Sequence, residues 1–231
     1  MNHDRVWDFS PLALLFVSIV GLALVPVLVT QPRLDSFQFE GQRYLVGALF
    51  CAVCVCGVVA VFYPAKCRRV FQHTPNPTDN AISCSIYLRI EGHHPSCQNF
   101  LGNRIAFVGR VFCAACSGLL VGAAIALVGA VAYFFGGLNA GWGDIWLVAL
   151  GEICMLLGLA QIKVAGFVKV MVNALFVVGS FVTLAAVDAM GKSLLLDLYV
   201  LGLIVFLLWF RIFLSELNNR RICCGCKLSF H

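Results

Sequence analysis

Six long apolar runs divide the chain, and each is bounded by charged residues, glycine or proline. The runs have 18 to 21 residues and cover Pro11 to Thr30, Tyr44 to Tyr63, Cys116 to Phe135, Ile145 to Ile162, Val170 to Val187 and Leu194 to Leu214. A helix of about 20 apolar residues crosses the hydrocarbon core of a bilayer. The pattern therefore predicts an all-α polytopic membrane protein with about six transmembrane helices.

The composition excludes an ordinary soluble domain. Of the 231 residues, 61% are hydrophobic and 12% are charged, whereas soluble domains have about 45–50% apolar and about 25% charged residues. The first apolar run is longer than the roughly 7 to 15 residues of a signal-peptide core, and it continues directly into Gln31-Pro32-Arg33. We expect this run to be retained as a span.

The basic residues predict an orientation. With six spans, thirteen of the 16 lysines and arginines fall on the side that holds both termini. They are Arg5, Lys66, Arg68, Arg69, Arg89, Arg104, Arg110, Lys163, Lys169, Arg211, Arg220, Arg221 and Lys227. Because basic residues favour the cytoplasmic side, we expect a multi-pass protein of the cell membrane with both termini in the cytoplasm. Paired arginines beside spans suit anionic headgroups, so the lipid bilayer is the expected partner and nucleic acid is not.

The spans and charges divide the chain into four segments. Residues 1–63 hold the N-terminal tail and two spans, 64–115 a cytosolic loop, 116–214 four more spans, and 215–231 a cysteine-rich cytosolic tail. The loop is too long for a simple connection, and Tyr87 to Ile90 and Arg104 to Val108 have the pattern of short strands, with a turn at Gly109-Arg110. No internal repeat relates the two halves, so the inverted-repeat architecture of transporters gains no support.

The cysteine spacing in the loop is typical of a zinc site. Three of the cysteine pairs have i, i+3 spacing: Cys51/Cys54, Cys113/Cys116 and Cys223/Cys226. The second pair follows His94-Pro95-Ser96-Cys97 after fifteen residues, and two chelating pairs at such a separation can converge on one tetrahedral ion. We therefore expect one Zn²⁺ bound by His94, Cys97, Cys113 and Cys116, in a zinc-ribbon-like loop between the second and third spans.

Parts of this metal site stay open. His93 is an alternative ligand in place of His94, a residue that orients it, or a solvated loop histidine. Cys84 is a reserve ligand. A rubredoxin-like iron site would need four thiolates, so the histidine favours zinc over iron. The alternative to any metal site is a set of cytosolic thiols that happen to lie close together.

Two further positions are candidate sites. Cys223 and Cys226 follow the last span and would form a second metal site only with additional ligands; lipid-facing thiols and acylation are the alternatives. Glu152 is the only carboxylate well inside a predicted span. Such a group costs about 2.5 to 3.5 kcal/mol unless it is protonated or paired, so it handles protons or cations or has a packing role. The Gly118-x3-Gly122 spacing predicts close helix packing, and Cys51 and Cys54 are interpreted as small apolar residues of a span.

Two short motifs carry a family resemblance. His93-His94-Pro95-Ser96-Cys97 and Phe112-Cys113-Ala114-Ala115-Cys116-Ser117-Gly118, followed by a glycine-rich span, resemble an uncharacterised family of small prokaryotic, chiefly archaeal, integral membrane proteins of unknown function. The resemblance covers about a seventh of the chain. Bacterial members typically carry Cys-Ala-Arg-Cys-Thr-Gly, from which Ala115 and Ser117 depart, so no role of that arginine is carried over. The resemblance implies a membrane protein with a metal site and no known activity.

Three functions compete at this point. The first is a non-enzymatic subunit of a membrane complex whose cytosolic zinc loop docks a protein partner. The second is a small transporter that uses Glu152. The third is a membrane enzyme or thiol-redox protein, based on the three cysteine pairs, although no acid/base pair or cofactor motif is recognisable. Whether the chain is an enzyme is therefore left open, and no catalytic residue is assigned.

Overall fold

The computed structural model describes residues 11–31, 41–62, 102–107, 110–138, 141 and 143–228. Within these ranges, six helices are long and apolar enough to cross a membrane. They are α1 (Pro11–Thr30), α2 (Gln42–Phe62), α3 (Ala114–Ala130), α4 (Ile145–Leu159), α5 (Gly166–Gly191) and α6 (Leu194–Leu228). The spans of α3 and α4 include the helical turns that follow them, as far as Phe135 and Lys163. The predicted all-α polytopic architecture with six spans is thereby confirmed.

Several helices extend beyond the apolar runs that predicted them. The clearest case is α5, because the run Val170 to Val187 lies within a helix that begins at Gly166 and ends at Gly191. The charged residues Lys169 and Asp188 had marked the predicted ends, yet both are buried in the helix. Lys169 and Asp188 each meet partners from other parts of the chain, so charge alone does not terminate α5.

Helix α3 continues into a single π-helical turn, Val131–Phe135. The Gly136 N–H donates a hydrogen bond to the Val131 carbonyl at 2.9 Å, which is the i→i+5 pattern of that geometry. The turn buries the side chains of Tyr133 and Phe134. Nothing in the apolar run predicted it.

The centre of the bundle is α5. Fourteen of its 26 residues are buried, and it packs most closely against α3 and α4. A Cβ atom on Gly122 would lie 2.7 Å from the carbonyl oxygen of Ala174, and a Cβ on Gly118 would collide with the carbonyl of Val170. Backbone therefore meets backbone along this face, which confirms the close packing predicted from the glycine spacing.

A short hairpin precedes α3. Strands β1 (Arg104–Phe107) and β2 (Arg110–Cys113) pair antiparallel, with Arg104 opposite Cys113. The strand predicted at Arg104 is confirmed, and a second strand begins at Arg110, where a turn was predicted. The predicted strand Tyr87 to Ile90 lies outside the described residues, so the zinc-ribbon-like character of the loop stays a prediction.

Polar side chains collect at the two ends of the bundle. We call the region of Cys113, Cys116, Gln161, Lys169 and Arg211 the hairpin end, and the region of Gln42, Arg43, Tyr133, Asp188 and Asp197 the opposite end. Between them the outer surface is apolar, with Leu12, Val128 and Trp146 each more than 70% exposed. Such a surface suits a lipid bilayer, while the end that faces the cytoplasm stays a prediction.

Candidate metal centre and the polar ends of the bundle

Cys113 and Cys116 lie where the hairpin becomes a helix. Cys113 is the last residue of β2 and directly precedes α3, and Cys116 lies in the first turn of that helix. Both side chains are half-buried, and the two thiols are in hydrogen-bond contact. The Ser117 hydroxyl donates to the Cys113 carbonyl at 3.0 Å, which ties the junction to the first helical turn. Two sulfur donors are therefore held next to each other on rigid backbone.

This arrangement suits half of a tetrahedral zinc site. Thiols in contact with each other can share one ion at the roughly 2.3 Å zinc–sulfur distance, and a helix N-terminus favours negative charge beside it. The other predicted ligands, His94 and Cys97, and the alternative His93 lie outside the described residues. Within the part of the chain that the structure describes, no group of three or more His, Cys, Asp or Glu residues could hold a metal ion. The structure thus places two of the four predicted ligands.

Two buried cations interact electrostatically with the thiols. Arg211 of α6 is 2% exposed and Lys169 of α5 is 6% exposed. The charged forms of Cys113 and Cys116 act electrostatically on Arg211, and that of Cys113 acts on Lys169. The two cations also repel each other. Positive charge is therefore concentrated beside the sulfur atoms.

Neutral groups supply some of the contacts of these two buried cations. Lys169 Nζ donates to Asn103 Oδ1 at 2.5 Å, which links α5 to the residues before β1. Arg211 Nη2 donates to Gln161 Oε1 at 3.0 Å, and the Cζ atom of Arg211 lies 5.2 Å from the ring centroid of Phe176. Amides and an aromatic face reduce the cost of burial but bring no negative charge.

The opposite end contains a different kind of network. The Tyr133 hydroxyl donates to Asp188 Oδ2 at 2.8 Å, and Arg43 Nε lies 3.8 Å from the same oxygen. The Arg43 guanidinium also covers the Tyr133 ring at 4.2 Å from its centroid. Gln42 Nε2 donates to Asp197 Oδ2 at 3.0 Å. Carboxylates on α5 and α6 therefore meet donors from α2 and the π-helical turn.

Glu152 lies within α4, as predicted. Its side chain is half-buried, and its Oε1 atom is buried with no hydrogen-bond partner among the described residues. Its charge acts on Tyr199 of α6, whose hydroxyl donates to the Gly21 carbonyl at 2.8 Å. Glu152 thus lies next to the α1–α6 contact, and its role in transport stays a prediction.

The other cysteine pairs singled out in the sequence lie in two different helices. Cys54 is buried and Cys51 is half-buried in α2, as expected for small apolar residues of a span. The backbone of Cys223 and Cys226 continues α6 without a break, so the two residues lie on one face of a helix. Whether they bind metal stays a prediction.

The sequence analysis counted Arg211 and Lys169 among the basic residues that set the membrane orientation. It did not predict that both are buried. One signal was present, because Arg211 follows an uninterrupted apolar run in α6 and arginine inside a span is costly. The network of Arg43, Tyr133 and Asp188 was also missed, since its members are distant in sequence.

Comparison of the chain with protein-family models, with curated proteins and with solved structures finds no match.

Proposed function

We propose that the chain is a multi-pass membrane protein in which a structural zinc site organises the loop at residues 64–115 and presents it to a protein partner in a membrane complex. The observation that carries the proposal is the placement of Cys113 and Cys116 at a strand–helix junction with their thiols in contact. His94 and Cys97 would complete the site from the loop. Four protein ligands leave no open coordination position, and this favours a structural over a catalytic role.

The energetics favour a folding role. Zinc binding in small modules supplies on the order of 10 kcal/mol at neutral pH, which is comparable to the net stability of a whole domain. A loop ordered by such a site depends on the ion, whereas the six spans are held by helix packing. Losing the metal should therefore release the loop and leave the bundle intact.

The first experiment is elemental analysis of the purified full chain with cysteine variants. We expect one zinc per chain in the wild type and none in Cys113→Ser or Cys116→Ser, whose loops should become protease-sensitive. Cys51→Ser and Cys154→Ser change a thiol within a span and serve as matched controls that keep the metal. A wild-type protein without zinc or iron, whose cysteines are all alkylated under native conditions, contradicts the proposal.

The histidine alternatives are separated by His93→Ala and His94→Ala. The true ligand should lower zinc occupancy much more than a neighbour that only orients it, because outer partners typically cost about 10- to 100-fold in affinity. If neither variant changes the occupancy, the fourth ligand is not a histidine of this pair, and Cys84 is the next residue to test.

A second candidate function is thiol redox. The position of Cys113 and Cys116 at a helix N-terminus is the observation that favours it, because reactive CxxC pairs occupy such positions. Thiol titration before and after chelation distinguishes the two functions. A structural site protects its thiols until the metal is removed, whereas a redox pair reacts in the presence of the chelator and in its absence.

A further inference from the structure

Most of the polar residues of α5 lie on one side of the helix. Four of them, together with one phenylalanine, are separated by four, three, four and three residues, and this spacing places side chains on a single helical face. We call these five residues the polar row: Lys169, Asn173, Phe176, Ser180 and Thr183. All five are buried. The central helix therefore carries its polar groups inside the bundle, over about 21 Å at 1.5 Å per residue.

Two members of the polar row have complete hydrogen bonds, and Asn173 does not. Lys169 Nζ donates to Asn103, and the Ser180 hydroxyl donates to the Phe176 carbonyl at 2.8 Å. The amide nitrogen of Asn173 donates to the Lys169 carbonyl. Its oxygen, Oδ1, is buried and has no hydrogen-bond partner among the described residues. The row thus contains a buried acceptor that needs a donor.

Helix α6 brings unsatisfied donors to the same level of the row. Arg211 Nη2 donates to Gln161, whereas Nε and Nη1 are buried and have no hydrogen-bond partner within the part of the chain that the structure describes. The Cζ atom of Arg211 lies 5.2 Å from the ring centroid of Phe176. Phe176 follows Asn173 by three residues, a separation at which helical side chains are neighbours. Two free donors and one free acceptor therefore meet beside this ring.

Glycines fix the helices on both sides of this place. A Cβ atom on Gly118 of α3 would lie 2.7 Å from Asn173 Cβ, and one on Gly158 of α4 would lie 2.5 Å from the Phe176 ring. Helices α3 and α4 therefore pack directly against the polar row, and Arg211 approaches it from α6.

The chemistry of the free groups selects the ligand. A guanidinium only donates hydrogen bonds, and an amide oxygen only accepts them. A halide would satisfy Arg211 alone, and a metal cation would satisfy Asn173 alone and be repelled by Arg211. Water both donates and accepts, and buried waters typically make about three hydrogen bonds to groups that are otherwise unsatisfied.

We propose that the bundle binds water at this place and that this water bridges Asn173 Oδ1 on α5 to the Arg211 guanidinium on α6. The bound water supplies the hydrogen bonds that a charged side chain inside a span needs. The inference goes beyond the proposed zinc site and does not depend on it.

Thr183 shows that an unsatisfied polar atom is not sufficient for such a site. Its Oγ1 atom is also buried without a hydrogen-bond partner in the described ranges. A Cβ atom on Gly151 would collide with this oxygen, so the backbone of α4 covers it directly. We therefore assign water to the level of Arg211 and not to that of Thr183.

The test is hydroxyl-radical footprinting by X-ray radiolysis of the full chain in detergent. Radicals that form from a bound water oxidise the side chains beside it, even where bulk water has no access. Phe176 and Phe50 are 2% and 1% exposed, so Phe50 is the matched control for a buried phenylalanine without a proposed water. We expect Phe176 to be oxidised severalfold faster than Phe50. Equal rates overturn the inference, and this comparison needs only the wild-type protein.

Variants identify the groups that hold the water. Asn173→Leu removes the acceptor and Arg211→Met removes the donors, and we expect each change to lower the oxidation of Phe176 to nearly the rate of Phe50. Ser180→Ala is the matched control, because it removes a satisfied hydroxyl from the same row and should leave the rate at Phe176 as in the wild type. Wild-type oxidation of Phe176 in a folded Asn173→Leu or Arg211→Met protein overturns the inference.

Discussion

Each end of the bundle contains an arginine, half-buried at the opposite end and buried at the hairpin end, and the two have different kinds of partner. At the opposite end, Arg43 lies beside the carboxylate of Asp188 and over the ring of Tyr133. At the hairpin end, Arg211 donates to the amide of Gln161 and lies over the ring of Phe176. Within the described residues, the acidic groups that act on it electrostatically are the thiols of Cys113 and Cys116. Arg43 thus has a carboxylate supplied by the bundle itself, whereas the contacts of Arg211 are with an amide and an aromatic ring.

This difference separates a network that forms when the helices pack from one whose charge depends on the proposed metal. The Arg43–Asp188 pair forms once α2, α5 and the π-helical turn have packed, and Nε and Nη2 of Arg43 have no hydrogen-bond partner among the described residues. At the hairpin end, Cys113 and Cys116 are ligands of the proposed zinc site, and thiolates in such a site are fixed by the metal. The opposite end should therefore be insensitive to chelators, and the hairpin end should respond to them.

The largest expected effect concerns which end lies in the cytoplasm. Because thirteen of the 16 basic residues fall on the side of the termini, we expect an alkaline phosphatase fusion after His231 to be inactive and a cytoplasmic reporter at that position to be active. A fusion between α1 and α2 is the matched control and should give the reverse pattern. An active phosphatase after His231 would place the thiols outside the cytoplasm and exclude a cytosolic zinc loop.

The spans were predictable because membrane insertion depends on local sequence. A run of about 20 apolar residues is sufficient for a transmembrane helix. The glycine spacing in α3 predicted close helix packing, and the structure shows that the partner is α5. The Cys113–Cys116 pair could likewise be recognised from local sequence alone. Cys113 directly precedes α3 and Cys116 lies in its first turn, so three residues of separation are sufficient to bring the two side chains together.

The polar partners were not predictable, because they join distant parts of the chain. Tyr133 and Asp188 are 55 residues apart, and Gln42 and Asp197 are 155 apart. Read along the sequence, Lys169 and Asp188 look like the ends of a span, since charge normally stops an apolar run. Only the packed bundle shows that both are buried within α5 and that each meets a partner from another part of the chain.

Glu152 lies between the two ends. Among the residues of the spans, we expect a charged substitution at this position to reduce insertion and stability the most. Its Oε1 atom has no hydrogen-bond partner among the described residues, so Glu152→Lys replaces it with a fixed charge that costs about 2.5 to 3.5 kcal/mol within a span. We expect reduced insertion and a lower unfolding midpoint in detergent. Glu152→Gln is the matched control: it keeps the shape without charge, and its stability should equal or exceed that of the wild type.

Glu152 also tests the transport alternative. Uptake into proteoliposomes that is abolished by Glu152→Gln, with stability unchanged, would support a functional carboxylate. If Glu152→Lys inserts and unfolds as the wild type does, this part of α4 does not face an apolar environment.

At the opposite end, Asp188→Asn should lower the free energy of unfolding by about 1 to 3 kcal/mol. The amide oxygen can still accept from Tyr133, but Arg43 loses the negative charge 3.8 Å away. Denaturant titration in detergent measures the change. Asp144→Asn is the matched control, because this exposed carboxylate caps α4 by accepting from the Trp146 N–H and asparagine caps equally well. Zinc content should be the same in both variants, and a loss of zinc in Asp188→Asn would mean that the two ends are not independent.

The smallest expected effect is that of Tyr133→Phe. The change removes one hydroxyl that donates to Asp188 at 2.8 Å, and it keeps the ring beneath Arg43 and the packing of the π-helical turn. A hydrogen bond to a charged group contributes about 1.5 to 3 kcal/mol, and Arg43 near the same oxygen should reduce the observed loss to about 1 kcal/mol. Tyr44→Phe removes the hydroxyl of an exposed tyrosine on α2 and should leave the unfolding midpoint unchanged. Equal midpoints for the two variants would show that the Tyr133 hydroxyl contributes nothing, and the stability of the opposite end would then rest on the Arg43–Asp188 pair alone.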